Sequence, residues 1–571
     1  MFVHNAEIAA IFNQIADLLE IKGDSPFRIR AYRNAARTID TLGSGVQTMV
    51  EQKQSLEDLP GIGADLAGKM VEIVTTGTCA LREQLRHEMP PFIHELLTVP
   101  GLGPKRVKTL YQERNIQTLD QLYGAARDGE ISHLPGFGRR VEQRILDALQ
   151  AQRSKSTRFR ISTAVQLVEP LIKHLQAVKE VKRIEVAGSF RRRQETVGDI
   201  DILVSSPHPE KVVQRFVGFE DIAQIREQGT TRASVVLRQG LQVDLRVVAD
   251  VSFGSALHYF TGSRAHNIAL RALAQERKLK MNEYGIFSGT RRIAGATEES
   301  VFKALGLPYI EPELRENRGE FAAARAGQLP VLVELSDLKG DLHAHTKATD
   351  GRNSLREMAL EAKRRGFSYL GITDHSHRLT VAHGLDAEQL SRQMDDIDRL
   401  NAELEGITLL KGIEVDINED GTLDMPDSIL SQLDLVVGAV HGKFDVPRER
   451  QTERILRAMD HPHFTLLAHP SGRMILEREP IDVDMPRIIR HAKQRGCFLE
   501  LNAQPARLDL NDTYCMMAKD EGVMVSVNSD AHSVFDFDNL RFGIGQARRG
   551  WLEKGDVLNA RGIRQLRALL G

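Results

Sequence analysis

The run Gly188-Ser-Phe-Arg-Arg-Arg-Gln-Glu-Thr-Val-Gly-Asp-Ile-Asp-Ile-Leu-Val204 decides how the middle of the chain folds. It predicts a turn and a short helix leading into a strand. Asp199 and Asp201 stand two residues apart, so the period-2 alternation of a strand points both carboxylates to one face. Adjacent carboxylates repel one another unless a cation lies between them, and oxygen donors of this kind suit magnesium or manganese. Gly188-Ser189 follows the apolar run Ile184-Glu-Val-Ala187. A Gly-Ser turn that opens a helix offers free backbone N–H groups to a phosphate, and Arg191, Arg192 and Arg193 stand close by. Downstream, Ala233-Ser-Val-Val-Leu-Arg238 and Leu241-Gln-Val-Asp-Leu-Arg-Val-Val248 flank Gln239-Gly240 and predict a hairpin that brings Asp244 beside the first pair. Three carboxylates on neighbouring strands are what two-metal phosphoryl transfer requires: one ion activates a 3′-hydroxyl, the other holds a triphosphate.

Around this stretch the chain runs to 571 residues with an apolar share of 41%, enough for several domains with proper cores. It starts with no signal pattern and contains no apolar run of membrane-spanning length, so a soluble cytoplasmic protein is expected. Cys79, Cys497 and Cys515 are too few and too scattered for a disulfide framework. The net charge of −2 hides an asymmetry: residues 1–155 balance, 156–315 carry about +6 and 316–571 about −8. A basic middle suits a polyanion.

Residues 5–22 and 26–42 predict two amphipathic helices, the second opening after Ser25-Pro26 and carrying Arg28, Arg30, Arg33 and Arg37. Three related punctuations follow: Leu59-Pro-Gly-Ile-Gly63, Val99-Pro-Gly-Leu-Gly103 and Leu134-Pro-Gly-Phe-Gly138, each before a helical segment. This is the helix-hairpin-helix pattern. Gly61 and Gly63, Gly101 and Gly103, and Gly136 and Gly138 allow tight turns whose N–H groups reach a DNA phosphate without an intervening side chain. Such contacts position DNA and do not read its sequence.

The Gly-Ser turn, Asp-x-Asp and third Asp resemble the nucleotidyltransferase palm of family X DNA polymerases, the polymerase beta group. The resemblance implies Asp199, Asp201 and Asp244 as catalytic ligands of Mg2+ or Mn2+, with Gly188, Ser189, Arg192 and Gly198 binding the nucleotide. Tyr259, Phe260 and Gly262, in Phe253-Gly-Ser-Ala-Leu-His-Tyr-Phe-Thr-Gly-Ser263, match the family's Tyr-Phe-x-Gly motif against the incoming sugar. Asn267 and Arg271, four apart on the next helix, match positions that contact the nascent base pair and the template side. The first 80 or so residues resemble the family's small lyase domain, where Lys69 matches the Schiff-base lysine and Asp65 replaces a phosphate-binding lysine. Gln242 stands where polymerase beta has an arginine, and Arg264 where it has an aspartate.

From Gly340 onward, apolar strand-like runs alternate with helical segments, which predicts a parallel α/β barrel. Polar residues end these runs: His343 and His345, then Asp350; Asp374 and His375; Glu414; His441; His469; Asp530 and His532. Ligands at the C-terminal ends of barrel strands converge on one mouth, and His with Asp and Glu suits zinc, manganese or iron. His377, His383, His461, His463 and His491 are read as packed or surface residues. This half resembles the polymerase and histidinol phosphatase (PHP) domain, a distorted seven-stranded barrel. The resemblance implies a site of two or three Mn2+, Zn2+ or Fe ions on His343, His345, Asp350, His375, Glu414, His441, His469, Asp530 and His532.

The expected architecture is multidomain. It has α-helical helix-hairpin-helix domains at 1–85 (lyase-like) and 86–155 (fingers-like), an α+β palm at 156–250 and a thumb at 251–315. A linker at 316–337 and an α/β (β/α)7 PHP barrel at 338–571 complete it. The resemblances imply a DNA polymerase that fills short gaps in base excision repair, with a PHP 3′–5′ exonuclease, 3′-end-processing or AP-endonuclease activity and a 5′-deoxyribose-phosphate lyase at Lys69. Its partners would be gapped, nicked or primer-template DNA and deoxynucleoside triphosphates, with no membrane, acting as a monomer associated with the nucleoid. Alternatives are a 3′-end nuclease that uses the polymerase half as a DNA clamp, and a DNA-binding scaffold without activity.

Overall fold

The computed structural model describes residues 3, 5–42, 45–90, 92–97, 99, 102–114, 116, 118–152, 158–379 and 382–570. Gly101 of the second hairpin lies outside the described residues. The chain forms two compact units, residues 1–157 and 158–571.

The first unit is helical throughout its described residues. Helix Asn5–Lys22 repeats apolar residues at helical spacing (Ile8, Ile11, Phe12, Ile15, Leu18, Leu19) and packs them against Tyr32, Ala35, Ala36 and Ile39 of helix Pro26–Thr41. The rings of Phe12 and Tyr32 meet edge-on at 5.6 Å. All three hairpins close with the same backbone bond: Ile62 N–H to Leu59 C=O, Leu102 to Val99, and Phe137 to Leu134. Gly61 and Gly136 take φ +71° and +80°, the left-handed region that a side chain disfavours.

The second unit opens with β1 (Phe159–Arg160), β2 (Arg183–Val186), β3 (Thr196–Val197), β4 (Asp199–Ser205), β5 (Ile222–Gln228), β6 (Arg232–Leu237) and β7 (Gln242–Val248). Strands β1 and β3 pair with each other. The rest form a five-stranded sheet ordered β2-β4-β7-β6-β5, in which only β4 and β7 are parallel. Strand β7 buries Val243, Leu245 and Val247 on one face and turns Gln242, Asp244 and Arg246 to the other. Helix Pro209–Val217 packs against β7, burying Val212, Val213 and Phe216.

Strands β8 (Lys280–Asn282), β9 (Gly285–Ser288) and β10 (Arg291–Ala294) make a small antiparallel sheet beyond two helices, Phe253–Thr261 and Arg264–Glu276. Their core of Leu270, Ile286, Val301, Phe302, Ile310 and Leu314 also takes in Ala324 and Leu332. The segment 316–337, read as a linker, is therefore packed into this region and contains a short helix, Glu320–Ala326. Polar contacts that no periodicity announces hold it there: the buried Glu320 carboxylate accepts from the Asn317 and Arg318 N–H groups and bonds His266 Nδ1 at 2.8 Å.

Strands β11 (Gly340–Asp341), β12 (Tyr369–Ile372), β13 (Thr408–Asp416), β14 (Leu435–Ala439), β15 (Leu466–Leu467), β16 (Phe498–Asn502) and β17 (Val525–Asn528) lie side by side in chain order, all parallel. A parallel bridge between Ala344 and Ala531 joins the runs after the first and last strands, so the sheet curls into a nearly closed barrel. Leu342, Tyr369, Leu410, Leu435, Val437 and Leu466 cluster together, and the helices cover the sheet through a second, larger apolar layer. Gly340 permits the close approach of Tyr369, whose ring would stand 2.2 Å from a Cβ at that position.

Candidate functional site

Parallel pairing of β4 with β7 sets Asp201 directly opposite Asp244, and Asp199 opposite Gln242. Asp199 is exposed and the other two carboxylates are half-buried. Burial, then the Asp199 and Asp244 carboxylates, push the Asp201 carboxyl up to about 7. Gly188 takes φ +64°, and a Cβ there would lie 3.0 Å from Asp201 Oδ2, so the turn closes directly over the carboxylates. Gln242 Nε2 donates to Asp244 at 3.0 Å (Oδ2) and 3.3 Å (Oδ1), while its Oε1 accepts from Arg226 Nη1 at 2.6 Å. Where the family places an arginine, this chain relays a cation through a neutral amide.

The expected nucleotide residues are linked to their neighbours. Arg191 forks onto Glu298 at 2.9 and 2.6 Å, and Arg315 joins the same carboxylate. Burial works against the Glu298 charge, but the Arg315 and Arg191 guanidiniums outweigh it and hold the carboxyl at about 2. Arg192 donates from Nε to Glu316 Oε1 at 3.0 Å and from Nη1 to Thr261 C=O. A Cβ on Gly262 would come within 3.1 Å of that Nη1. Tyr259 and Phe260 meet edge-to-face at 5.1 Å, and the Arg246 guanidinium lies 4.8 Å over the Phe260 ring. Asn267 Nδ2 donates to Tyr259 C=O at 2.7 Å, and Arg271 Nε to Asn267 C=O at 3.2 Å. Gly198 lies beside Arg158, and Ser189 C=O accepts from Gln194 N–H at 3.0 Å.

In the first unit, Gly61, Gly63, Gly103 and Gly136 are exposed and Gly138 half-buried, as backbone donors to a phosphate must be reachable. Lys69 differs from what Schiff-base chemistry needs. Burial favours its neutral amine, but its bond to Asp65 and the facing Tyr32 outweigh this and raise the ammonium above its ordinary value. A nucleophilic lysine requires the opposite shift. Asp65, the replacement already visible in the sequence, is the physical reason.

In the barrel, every expected ligand stands at the C-terminal ends of the strands, where three ligand groups form: His345, Asp350, His375 and His532; His343, His345 and Asp530; and His375, Glu414 and His441. Within each group the donor atoms lie within 4.8 Å of one another. The palm triad forms no such closed group among the described residues. His469 stands beside the third group, its Nε2 3.0 Å from Glu414 Oε1. His343 Nε2, His345 Nδ1 and His469 Nδ1 are buried without a hydrogen-bond partner, and His375 Nδ1 and Glu414 Oε2 meet each other at 2.8 Å. Unsatisfied nitrogen and oxygen lone pairs converging in a buried mouth fit divalent ions better than they fit one another. Burial would raise Glu414, yet His441, His375 and His343 hold it well below the usual carboxylate range. Burial, then the charges of His532 and His375, drive His345 down to about 3.

Two residues that no motif marked complete this geometry. His343 Nδ1 bonds Glu500 Oε1 at 2.7 Å, and His441 Nδ1 bonds Asp416 Oδ1 at 2.9 Å, turning each outer Nε2 into the mouth. A charged residue inside the all-buried strand Phe498–Asn502 was the available signal for Glu500. His377 is largely exposed, His461 and His463 each stand 3.4 Å from Asp427, and His491 bonds Asp460 at 2.8 Å. None of the four belongs to the mouth's ligand groups.

Family models match in the same order along the chain: a helix-hairpin-helix domain (residues 3–79), a SAM-like helix-hairpin-helix tandem (93–151), the DNA polymerase beta palm (161–246) and thumb (256–316), and the PHP domain (341–504). The "DNA polymerase/3'-5' exonuclease PolX" of Bacillus subtilis (strain 168) is 36% identical over 572 residues, 100% of this chain and 99% of the relative. DNA polymerase lambda of Rattus norvegicus is 24% identical over 346 residues, 55% of this chain and 56% of the relative. A probable phosphatase of Thermoanaerobacter sp. (strain X514) is 29% identical over 230 residues, covering 38% of this chain and 89% of that protein. The chain belongs to the family X DNA polymerases of the polymerase beta group that carry a C-terminal PHP domain.

Proposed function

We propose that the chain is a template-directed DNA polymerase that fills short gaps during DNA repair, and that its barrel hydrolyses phosphodiesters at DNA 3′ ends. The observation that carries the reading is the register that puts Asp201 opposite Asp244 beneath the Gly188 turn. Asp199, Asp201 and Asp244 would hold Mg2+ or Mn2+, and His343, His345, Asp350, His375, Glu414, His441, His469, Asp530 and His532 would hold Mn2+, Zn2+ or Fe. Divalent ions held there would supply charge neutralisation for a triphosphate and activation of a 3′-hydroxyl in the palm, and activation of a water at the barrel mouth. The chain's own groups do the rest. The Gly188-Ser189 turn and Arg192 hold the triphosphate, and Tyr259, Phe260 and Gly262 seat the sugar. Asn267 and Arg271 face the nascent base pair, while the hairpin glycines hold the DNA backbone.

The domains of this reading are 1–85, 86–155, 156–250, 251–315 and 338–571, with 316–337 counted with the thumb on its packing. Among the described residues, no helix is long and apolar enough to cross a membrane. A cytoplasmic monomer associated with the nucleoid through DNA completes the proposal. A one-nucleotide gapped duplex with a 5′-phosphate at the gap and a labelled primer, incubated with nucleotides and manganese, tests the reading. Lengthening by one that depends on the templating base is expected. Shortening alone at saturating nucleotide favours the second reading, a 3′-end nuclease with a polymerase-shaped clamp. The closed ligand groups of the barrel and the Gln242 substitution are its support.

A further inference from the structure

Arg192 does not stand alone beside the phosphate turn. Its Nε edge is held by Glu316 Oε1 at 3.0 Å, and the same oxygen accepts from Gln194 Nε2 at 2.7 Å and from Arg549 Nη1 at 2.9 Å. Arg549 belongs to helix Leu540–Arg549, which covers the barrel strand β17 and buries Phe542, Ile544 and Ala547. The Arg549 side chain is only 4% exposed, and it makes two further bonds: Nη1 to Arg192 C=O at 2.8 Å and Nη2 to Asp512 Oδ2 at 2.7 Å. Asp512, at the start of a neighbouring barrel helix, also accepts from Arg318 at 2.8 Å. The adjoining Gln546 donates to Arg193 C=O at 2.7 Å. The phosphate turn is thus fastened to the metal barrel by one half-buried carboxylate and two arginines.

An arginine side chain has many rotamers, and a fork fixed at one edge presents its other edge with little entropy left to lose. Fixing Nε on Glu316 and Nη1 on Thr261 C=O leaves the Nη2 edge for a ligand. Burial would favour protonated Glu316, but the Arg192 and Arg549 guanidiniums hold the carboxyl below its ordinary value. Arg192, Arg318 and Arg549 against Glu316 and Asp512 leave this network with one positive charge in excess, which suits a triphosphate.

We infer that Glu316, itself held by Arg549 of the barrel, is a positioning residue that clamps Arg192 for the incoming triphosphate, so that the barrel forms part of the nucleotide site. The inference rests on the reading of Arg192 as a triphosphate ligand. Its test is gap-filling kinetics of the full chain with saturating gapped duplex and varied nucleotide. E316A and R549A should each raise the nucleotide KM about tenfold while changing kcat far less, because the lost contact acts on ground-state binding. E316Q should fall between, since its amide oxygen still accepts from Arg192 Nε, and it keeps the test open if the alanine variant folds poorly. The double variant E316A/R549A should cost no more than the worse single one. Unchanged KM in E316A and R549A, alongside a raised KM in R192A, overturns the clamp. A lowered KM in E316A also overturns it, because Glu316 would then compete with the triphosphate. An unchanged KM in R192A instead overturns the assignment of Arg192 itself. A general loosening of the interface would lower kcat as well and would not be confined to KM.

Discussion

In the palm, Asp199 lies exposed at the end of β4, with Asp201 and Asp244 half-buried beside it and oxygen the only donor atom on offer. In the barrel, His343, His345, Glu414, His469, His375 and Asp530 are between 0% and 6% exposed, and their nitrogen and oxygen atoms already converge. The difference follows from the work. Ions in an open, all-carboxylate site can arrive with a triphosphate and leave with pyrophosphate. A buried nitrogen-rich cluster suits resident ions, and outer hydrogen bonds to Glu500 and Asp416 fix His343 and His441 in their ligating tautomers. On the proposed reading, one chain carries an exchangeable site and a permanent one.

The strongest way to break this comparison is to disable each site alone. Asp201→Ala should lower gap filling by about a thousandfold or more and leave 3′ hydrolysis intact, and His343→Ala should do the reverse. Elemental analysis after gel filtration in metal-free buffer should find metal in the Asp201→Ala protein and lose part of it in the His343→Ala protein. Loss of both activities from either change would show that the two sites are one.

Next in size is the support around the barrel ligands. Glu500 accepts from Asn528 at 2.9 Å and from the His469 N–H at 2.8 Å besides holding His343. Glu500→Gln removes the charge that keeps the His343 Nδ1 proton in place. Metal affinity of the barrel should fall about 10- to 100-fold, read by competition with a chelating dye, while the nucleotide KM of the palm stays the same. A change confined to the palm would contradict the separation.

Much of this was legible in the chain, for reasons that can be named. The ligand set was legible because parallel barrel strands are nearly all apolar, so a His or Asp that ends one stands out. That Asp244 joins Asp199 and Asp201 was legible from strand alternation and the hairpin, but the Asp201–Asp244 register was not, because β4 pairs with β7 in parallel and the hairpin fixes only β6 against β7. Glu500 and Asp416 were not, because their partners, His343 and His441, come from other strands. Glu316 and Glu320 sit in a stretch without periodicity, which reads as a linker, although polar bonds to Arg192 and His266 anchor it. Lys69 looked like a nucleophile by position, and only its pairing with Asp65 and Tyr32 shows its ammonium held charged. Borohydride trapping on a 5′-deoxyribose-phosphate end should accordingly give no adduct that Lys69→Ala removes.

The two sites should also differ in pH response. In the metal-free palm, Asp201 keeps its proton up to about 7, so proton and metal compete there. The magnesium concentration that half-saturates gap filling should rise roughly tenfold for each unit of pH lowered below about 7, and level off above it. In the barrel the competing protons sit on imidazoles: burial works against the charges of His375 and His343, but the facing carboxylates raise both well above their ordinary value. A palm whose magnesium requirement did not change between about pH 6 and pH 8 would remove Asp201 from the metal site.

The smallest expected effect sharpens the comparison from the palm side. Asp244 has no imidazole to steady it and takes its orientation from Gln242, which Arg226 holds in turn. An amide donor aims the carboxylate without adding a full charge next to an incoming metal, whereas an arginine would add one and oppose the metal's approach. Gln242→Ala should lower kcat of gap filling by about 3- to 10-fold at saturating magnesium, through loss of one neutral hydrogen bond, with the nucleotide KM nearly unchanged. Gln242→Arg should restore the aim and raise the magnesium requirement. If the arginine variant instead matched the parent at every magnesium concentration, the amide would be an incidental substitution, and the open palm would owe its metal exchange to exposure alone.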